Sequence, residues 1–453
     1  MKEPGGFPGN IGLLALFNGG LAFRSCFVLM LLLGATLTTS QVTSQALPKA
    51  HAVGSTPIQH IVFIVKENHS FDSYFGRFPG AHGATTGLVK VNGVDQTINL
   101  MPLIDQSPDY CHVRPCSIKD YDKGAMDHFN GVGACVQAPY TCYQAATQDQ
   151  IPNYWDYASK FVLSDETYQP MAGPTFPNRL YTIAAAAGSS IDTSAITDPS
   201  TPGGKPMGWG CDSVSTTRTH LYNGTTVYPC FDFTTLADSM DNAGVSWKYY
   251  APSPGEGGYI FSAYDAINHI RNGVDWSQKV VKWQTFAADA RAGNLPAFSW
   301  VVPPIGLSEH PPASVCLGEN WTVQQINAIM QGSDWSSTAI FLSYDEWGGY
   351  YDHEAPVSID PLGYGFRVPM TIISPYAHST KPGNPHISHK QYEASSVIRF
   401  AEEVFNLPSL GNRDALVNDM MDSFDFSQVW NAPDILTTRT CGGVKNLPMP
   451  END

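Results

Sequence analysis

Basic residues are scarce in this sequence. Its 453 residues include 25 Lys and Arg against 41 Asp and Glu, a formal net charge of −16, with no basic run to interrupt the acidic excess. A nucleic-acid-binding protein needs a positive surface for the phosphates, so no nucleic acid partner is expected. Charged residues make up only 15% of the chain and hydrophobic residues 43%, which excludes the composition of a disordered protein.

Several catalytic motifs are also missing. The sequence has no G-x-S-x-G turn, no H-E-x-x-H pair, no Walker A loop and no complete G-x-G-x-x-G. These absences disfavour serine hydrolases, zincins, P-loop NTPases and dinucleotide-binding enzymes. Beyond the N-terminal region, no apolar run is long enough for a transmembrane helix, so we expect no stable transmembrane anchor.

The N-terminal region has the features of an export signal. Arg24 precedes an apolar run at 27–33, and small and hydroxyl residues follow at 35–40. Such a run is too short to span a bilayer but is typical of a secretory signal. We therefore predict a signal region and leader over 1–45 and a secreted or extracytoplasmic protein, with a retained membrane anchor as the alternative.

The cysteines favour disulfide bonds over a zinc site. One of the nine lies in the leader, the other eight form an even set, and no C-x-x-C pair occurs. We expect local pairing among the first four of these eight and two further bonds after them. The residues concerned are Cys111, Cys116, Cys135 and Cys142, then Cys211 with Cys230 and Cys316 with Cys441.

Short β-branched runs alternate with helical periodicity along the chain. The strand candidates are 58–65, 161–163, 245–249, 297–302, 338–343 and 368–373, and the helix candidates are 178–187, 233–242, 323–331 and 393–405. This alternation predicts an α/β layered fold, with a mostly parallel central sheet flanked by helices. Because no composition break divides the rest, we predict a single domain over 46–453, with rim insertions near 76–150 and 188–235.

Acidic and amide residues follow two of the predicted core strands. Glu67 and Asn68 follow the first strand, and Asp345 and Glu346 follow a strand much later in the chain. Ligands gather at the carboxyl ends of parallel strands, and three clustered carboxylates would repel one another without a cation. Oxygen ligands favour Ca²⁺, Mg²⁺ or Mn²⁺, so we predict a divalent metal site. An ordinary helix cap and a solvated turn are the alternatives.

A third segment supplies a candidate nucleophile. Thr175 precedes an apolar helical stretch, which places its hydroxyl near a helix N-terminus that attracts anions. Asn178 and Arg179 add donors suited to phosphate oxygens, so we predict that they bind substrate. A hydroxyl next to a metal can lose its proton near neutral pH and attack phosphorus. Simple capping of the helix by Thr175 is the alternative.

Five separated segments resemble the phosphoesterase family of phosphatidylcholine-type phospholipases C and related acid phosphatases. They are IVFIVKENHSFDSYFG at 61–76, GPTFPNRLY at 173–181, HPP at 310–312, YDEWGGYYDH at 344–353 and RVPMTIISPY at 367–376. The resemblance runs from about residue 58 to 426 and implies an alkaline-phosphatase-like fold. It further implies that Glu67, Asn68, Asp345, Glu346 and Thr175 hold the metal, that Thr175 is the nucleophile, and that His112 and His310 contact the phosphoryl group.

Two departures from the family pattern affect the expected substrate. His69 stands where the family usually has Arg, and Trp347 stands where a smaller residue is common, so the pocket rim is expected to differ. The sequence also lacks the β-rich C-terminal extension of the longer phospholipases. We therefore predict an acid-phosphatase-like hydrolase of small phosphoric esters, with a phospholipase C acting on phospholipid as the first alternative. A non-catalytic binding module on the same scaffold is the second.

Three aromatic residues and one histidine follow the second acidic pair in the sequence. The aromatic residues Trp347, Tyr350 and Tyr351 either form an apolar mouth or pack as a loop against the rim. His353, eight residues after Asp345, is predicted to orient a metal ligand without binding the metal itself.

Overall fold

The structure is a computed structural model that describes residues 56–192, 210–378, 386–428 and 431–445. The predicted signal region at 1–45 lies outside the described residues. Within the described ranges, the search for a helix of sufficient length and apolar character to cross a bilayer finds none.

Twelve strands occur in the described residues. They are β1 (His60–Lys66), β2 (Thr86–Val91), β3 (Val94–Asn99), β4 (Val162–Ser164), β5 (Thr219–His220), β6 (Thr226–Val227), β7 (Trp247–Ala251), β8 (Val280–Lys282), β9 (Phe298–Val301), β10 (Thr338–Tyr344), β11 (Met370–Ile373) and β12 (His386–Ser388). Eight of them form one central sheet in the order β12-β4-β11-β10-β1-β9-β7-β8. The pairs β2–β3 and β5–β6 are separate two-stranded hairpins.

Ten α-helices accompany these strands in the described part of the chain. They are α1 (Phe71–Phe75), α2 (Arg114–Tyr121), α3 (Pro152–Lys160), α4 (Thr175–Ala184), α5 (Leu236–Ala243), α6 (Asn268–Arg271), α7 (Val274–Lys279), α8 (Phe286–Arg291), α9 (Val315–Gln331) and α10 (Ala394–Phe405). The long helix α9 is capped by the Ser314 hydroxyl, which accepts a hydrogen bond from the Leu317 amide.

The central sheet is mostly parallel. Strand β1 pairs in parallel with β10 on one side and β9 on the other, and β7–β9, β7–β8 and β4–β12 are parallel as well. Strand β11 is the exception among the described strands, since it runs antiparallel to both β10 and β4. The predicted layered α/β fold with a mostly parallel sheet is thus confirmed.

All six predicted strands and all four predicted helices occur, with shifted ends. The largest shift is in α9, which begins at Val315 rather than at 323, because the N-terminal half of the helix contains Gly318 and polar residues that mask its periodicity. Six strands were missed, namely β8 and β12 of the central sheet and the four strands of the two hairpins; β8 and β12 have three residues each and no long apolar run. Short strands with polar residues carry little pattern of their own.

The eight cysteines outside the leader form four disulfide bonds. The pairs are Cys111–Cys116, Cys135–Cys142, Cys211–Cys230 and Cys316–Cys441. This confirms the local pairing predicted for the first four cysteines and both of the longer bonds. The last bond ties the start of α9 to the C-terminal segment, 125 positions away.

The predicted insertion at 76–150 contributes an apolar cluster of its own. It contains the β2–β3 hairpin, α2 and two of the disulfides. Its buried residues, among them Tyr143 and Phe129, pack on Trp347, Tyr350 and Tyr351. The segment thereby covers the loop that follows β10.

Candidate active site

The parallel pairing of β1 with β10 brings the two acidic pairs together. The last residues of the two strands, Lys66 and Tyr344, are partners in the register, so Glu67 and Asp345 leave the sheet side by side. The main-chain N–H of Asn68 donates a hydrogen bond to Asp345 Oδ1, at 3.4 Å. All four of the predicted ligands from these two segments, Glu67, Asn68, Asp345 and Glu346, are buried.

A glycine allows the two segments to approach this closely. Gly348 has a φ of +64°, and a Cβ at this position would lie 2.5 Å from the Asn68 carbonyl oxygen. Any larger residue would both strain the backbone and push the two segments apart. The adjacent acidic side chain is held by the same turn, since the Gly348 amide donates to Glu346 Oε2 at 2.9 Å.

Thr175 is the first residue of α4, and its side chain faces the acidic cluster. Its Oγ1 lies 3.4 Å from Glu67 Oε2, and the residue is fully buried. The preceding Pro174 is the N-cap and supplies no side-chain hydrogen bond to the first turn. The hydroxyl therefore lies at the positive end of the helix beside a carboxylate that can accept its proton.

Asn178 and Arg179, in the first turns of α4, bond to the segments that form the site. The Asn178 amide group donates to the Gly173 and Pro174 carbonyls at 2.8 and 3.0 Å, and its oxygen accepts from the Met171 amide at 3.0 Å. These bonds use the amide that was predicted to bind substrate, and they fix the loop that leads into Thr175. We therefore describe Asn178 as a positioning residue.

The guanidinium of Arg179 is directed at the carboxylates. It forms an ion pair with Glu67 Oε1, and its Nε lies 3.5 Å from Asp345 Oδ2. Burial opposes the charge, but Glu67 and Asp345 outweigh that effect and raise the pKa of Arg179 above its ordinary value. Arg179 thus offsets part of the negative charge of the cluster, a role that differs from the predicted contact with substrate.

The donor set fits a divalent cation. Both amide atoms of Asn68, Nδ2 and Oδ1, are buried and have no hydrogen-bond partner. A buried amide without partners is costly unless a ligand satisfies it. The main-chain nitrogen of the same residue lies 3.4 Å from Asp345 Oδ1, and amide and carboxylate oxygens are the ligands that hard divalent cations prefer.

The two predicted histidines stand together over this cluster. The rings of His112 and His310 are 5.5 Å apart, both are buried, and His112 Nε2 lies 3.8 Å from Glu346 Oε1. Each Nδ1 faces a main-chain carbonyl, that of Tyr110 at 2.7 Å for His112 and that of Pro311 at 2.6 Å for His310. A carbonyl only accepts, so Nδ1 carries a proton, and Nε2 is the atom that can exchange a proton with a substrate.

Sequence reasoning missed a buried ionic network directly behind the site. Lys66 Nζ lies 3.0 Å from Glu309 Oε1, and both side chains are fully buried. Three tyrosine hydroxyls also donate to the Glu309 carboxylate at 2.5 to 2.6 Å, those of Tyr74, Tyr154 and Tyr344. Lys66 and Glu309 immediately precede Glu67 and His310 in the chain. The two residues are 243 positions apart, and no sequence pattern predicts that they form a pair.

His69 does not lie on a pocket rim, in contrast to the expectation. It is fully buried, with its ring between those of Tyr74 and Tyr350 at centroid distances of 4.2 and 4.4 Å. Burial lowers the pKa of His69 well below its ordinary value, so the ring is neutral. Trp347, Tyr350 and Tyr351 are buried too, which agrees with the packed alternative and not with an apolar mouth.

His353 belongs to a different cluster from the predicted metal ligands. Its Nδ1 lies 2.7 Å from Asp72 Oδ2, and Arg367 and Glu354 are its other charged neighbours. Asp72 is in turn paired with Arg367 in a buried network that includes Asp352. The structure thus gives His353 no described contact with Asp345 or Glu346.

Comparisons with known proteins show what the chain is similar to. The sequence matches the Phosphoesterase family over residues 58–408. It is 27% identical to phospholipase C A of Mycobacterium tuberculosis, over 92% of this chain and 88% of the relative. It is 26% identical to the non-hemolytic phospholipase C of Pseudomonas aeruginosa, over 88% of this chain and 63% of that protein. A solved structure of an alkaline phosphatase superfamily protein from Vibrio parahaemolyticus matches 81% of this chain and 72% of its own, with a TM-score of 0.36 and 9% identity.

The family match covers more than half of the chain and spans all the segments that form the site. It supports the predicted enzyme class, a hydrolase that acts on phosphoric ester bonds. This chain belongs to the phosphoesterase family.

Proposed function

We propose that the protein hydrolyses phosphoric esters with Thr175 as nucleophile and a divalent metal as cofactor. The observation that carries this proposal is the position of the Thr175 hydroxyl at the start of α4, 3.4 Å from Glu67 and beside the buried ligand set. The hydroxyl lies beside Glu67, and the His112 ring lies between Glu346 and the His310 ring. This is the constellation that phosphoryl transfer through a covalent intermediate requires.

The metal would be held by Glu67, Asn68, Asp345, Glu346 and Thr175. When bound, such an ion supplies a Lewis acid that stabilises the alkoxide of a nearby hydroxyl and the charge on phosphoryl oxygens. The hard oxygen donors favour Ca²⁺, Mg²⁺ or Mn²⁺. Arg179 balances the remaining negative charge beneath the site.

The residues of the chain then divide the reaction between them. Thr175 Oγ1 loses its proton, for which Glu67 Oε2 is the adjacent acceptor, and attacks phosphorus in line with the leaving oxygen. The bond to the leaving oxygen breaks as the bond to Thr175 forms, and His310, protonated on both ring nitrogens, donates its Nε2 proton to the departing group. Water then attacks the phosphothreonine and gives a proton to the same imidazole, while Thr175 Oγ1 takes its proton back from Glu67 as the P–O bond breaks. His112, next to Glu346, contacts a phosphoryl oxygen.

Substitution of Thr175 is the direct test. Thr175→Ala should lower kcat by roughly 10³-fold or more with unchanged circular dichroism, because the covalent route is lost. Thr175→Ser should retain part of the activity and form a phosphoserine detectable by mass spectrometry after acid quench. An alanine variant within tenfold of wild type would remove Thr175 from the mechanism.

For the substrate, we propose phospholipid as the second candidate beside the small esters predicted from the sequence. A cavity of about 750 Å³ begins at Val113, the residue after His112, and is also lined by Ile118, Leu221 and Tyr222. Its wall contains Arg114, whose guanidinium donates to the Ala172 carbonyl just before the Thr175 loop. Such a cavity suits an apolar leaving group, and the relatives are named phospholipases C.

One comparison separates the two substrate classes. The ratio of kcat/KM for phosphatidylcholine vesicles to that for an aryl phosphate is measured on wild type and on Tyr222→Asp, at a half-exposed position of the cavity wall. If lipid is the substrate, the charged residue should lower this ratio at least about tenfold. An unchanged ratio with faster turnover of the aryl phosphate favours the small esters.

We also propose that the protein works outside the cytoplasm. Four disulfides support an oxidising compartment, since such bonds persist where thiols are not kept reduced. Trypsin shaving of intact cells that express the full chain, compared with lysed cells, tests this location.

A further inference from the structure

A second cluster of metal-ligand side chains lies away from the candidate active site. His82, His353 and Glu354 each offer one ligand atom, and these atoms all lie within 4.8 Å of one another. His82 Nε2 lies 3.8 Å from Glu354 Oε2, and His353 Nε2 lies 4.0 Å from the same oxygen. The two imidazole rings are 5.1 Å apart and perpendicular. We infer that these three residues form a zinc-binding site.

The nitrogen atoms of both rings are oriented for this role. His82 Nδ1 lies 3.1 Å from Glu166 Oε1, and His353 Nδ1 lies 2.7 Å from Asp72 Oδ2. A carboxylate accepts a hydrogen bond from Nδ1–H, so the lone pair of the neutral ring is on Nε2, which faces Glu354. Metal-ligating histidines commonly show this arrangement, in which a carboxylate fixes the tautomer and the orientation of the ring.

The main chain of all three ligands is fixed as well. The His82 amide donates to Asp165 Oδ2 at 2.7 Å, and its carbonyl accepts from Arg367 at 2.7 Å. The amides of His353 and Glu354 donate to Asp72 Oδ2 and Asp352 Oδ1 at 2.8 and 3.0 Å. Only side-chain torsions remain to be adjusted when an ion binds.

The geometry suits a tetrahedral ion with one open position. Ligands of tetrahedral Zn²⁺ at 2.0–2.1 Å stand about 3.3 Å apart, somewhat closer than the separations of 3.8 and 4.0 Å found here. Rotation of the Glu354 side chain, which is one-third exposed, and of the half-exposed His82 ring would close that difference. The half-exposed ring of His82 leaves the fourth position to water. Two imidazoles and one carboxylate favour Zn²⁺ over Ca²⁺ or Mg²⁺.

Other acidic and imidazole clusters in the described residues do not share these features. In one, Lys90 already occupies the centre, with Nζ 2.6 Å from Asp127 and 3.1 Å from Asp122. In another, Arg367 neutralises Asp72 and Asp352. The cluster of Asp109 with His112 and His310 is part of the candidate active site.

The zinc site would tie two segments that flank the active site. His82 lies in the loop after α1, and His353 and Glu354 end the segment that begins with the ligands after β10. A bound ion therefore links the chain downstream of Asn68 to the chain downstream of Glu346. We assign it a stabilising function rather than a catalytic one.

Zinc titration of the full-length protein tests the site. Chelator-treated wild type, His82→Ala and the control His220→Ala are titrated with Zn²⁺ alone by calorimetry. His220 is the matched control, since it is also half-exposed with Nδ1 2.9 Å from a carboxylate, that of Asp192. We expect His82→Ala to lose one zinc equivalent, or to bind it at least about 100-fold more weakly, while His220→Ala binds as wild type does.

A second variant and a stability measurement distinguish loss of the zinc site from misfolding of the variant. Glu166→Gln, which changes the partner of His82 Nδ1 and leaves the Tyr168 hydroxyl an amide group in place of its carboxylate acceptor, should weaken the same equivalent about 10–100-fold. Added Zn²⁺ should raise the Tm of wild type but not that of His82→Ala, whose Tm in chelator should match wild type. Equal zinc binding by wild type and His82→Ala would overturn the assignment. Loss of the same equivalent in His220→Ala would overturn it too, because binding would then reflect surface histidines in general.

Discussion

The buried pair of Lys66 and Glu309 allows a quantitative test of how the site is supported. Glu309→Gln leaves the Lys66 ammonium buried without its counter-charge, with neutral acceptors alone, among them the Leu307 and Gly318 carbonyls at 2.7 and 3.2 Å. Breaking a buried ion pair from one side typically costs about 3–5 kcal/mol. We expect Glu309→Gln to lie in this range, because three tyrosine hydroxyls lose their charged acceptor at the same time.

The partner substitution should cost less. In Lys66→Met the Glu309 carboxylate keeps its three hydroxyl donors, and hydrogen bonds to a charged group contribute about 1.5–3 kcal/mol each. We therefore expect a loss of about 1–3 kcal/mol. The double variant removes both charges, so its loss should be smaller than the sum of the two by about 1–3 kcal/mol.

Urea unfolding followed by tryptophan fluorescence gives these free energies by linear extrapolation. Arg399→Met, which removes an exposed ion pair with Glu403 at 3.1 Å, is the control and should cost less than about 1 kcal/mol. Strictly additive losses for Lys66 and Glu309, or a Glu309→Gln cost no larger than that of the control, would refute the view that the pair is a tightly coupled unit.

Three further results are expected. Asp345→Asn should reduce divalent-metal affinity at least about tenfold and the exposed Asp95→Asn should not, by elemental analysis after dialysis, whereas equal metal content would contradict the ligand set. Burial raises the pKa of Asp265 from 3.8 to about 8, so the folded state holds the extra proton and stability falls as pH rises through that window. Asp265→Asn should therefore bring the urea midpoints at about pH 5 and about pH 8 closer together, and an unchanged gap would refute this assignment. Replacing Cys316 and Cys441 by Ser together should cost about 2–5 kcal/mol, and an unchanged Tm would argue against a stabilising bond.

The features predictable from the sequence share a local signal. The strands β1 and β10 are continuous β-branched runs that stop at polar residues, so both the strands and the acidic groups after them could be located. Cys111–Cys116 and Cys135–Cys142 are close in sequence, and local pairing followed from spacing alone. A family resemblance added the histidines, which have no local pattern of their own.

The features that were missed depend on contacts between distant segments. Nothing near Glu309 in the sequence indicates Lys66 or the three tyrosines, because these residues come from four separate elements, β1, α1, α3 and β10. Asn178 looked like a phosphate donor by residue type, but only the structure gives its bonds to the Gly173 and Pro174 carbonyls. His353 likewise stands near the acidic pair in sequence and bonds to Asp72 in space.

The parallel pairing of β1 with β10 has a consequence for how activity arises during folding. The two segments it joins are in contact across 277 positions, so the candidate active site closes one of the largest loops in the described structure. Closing such a loop loses chain entropy before it gains contacts, and topologies of this kind fold slowly. In a refolding experiment, the rate at which activity returns should therefore report the pairing of β1 with β10. Intermediates that contain helices but lack this strand pairing should be inactive. During synthesis, Glu67 and Asn68 emerge from the ribosome long before Asp345 and Glu346 are made.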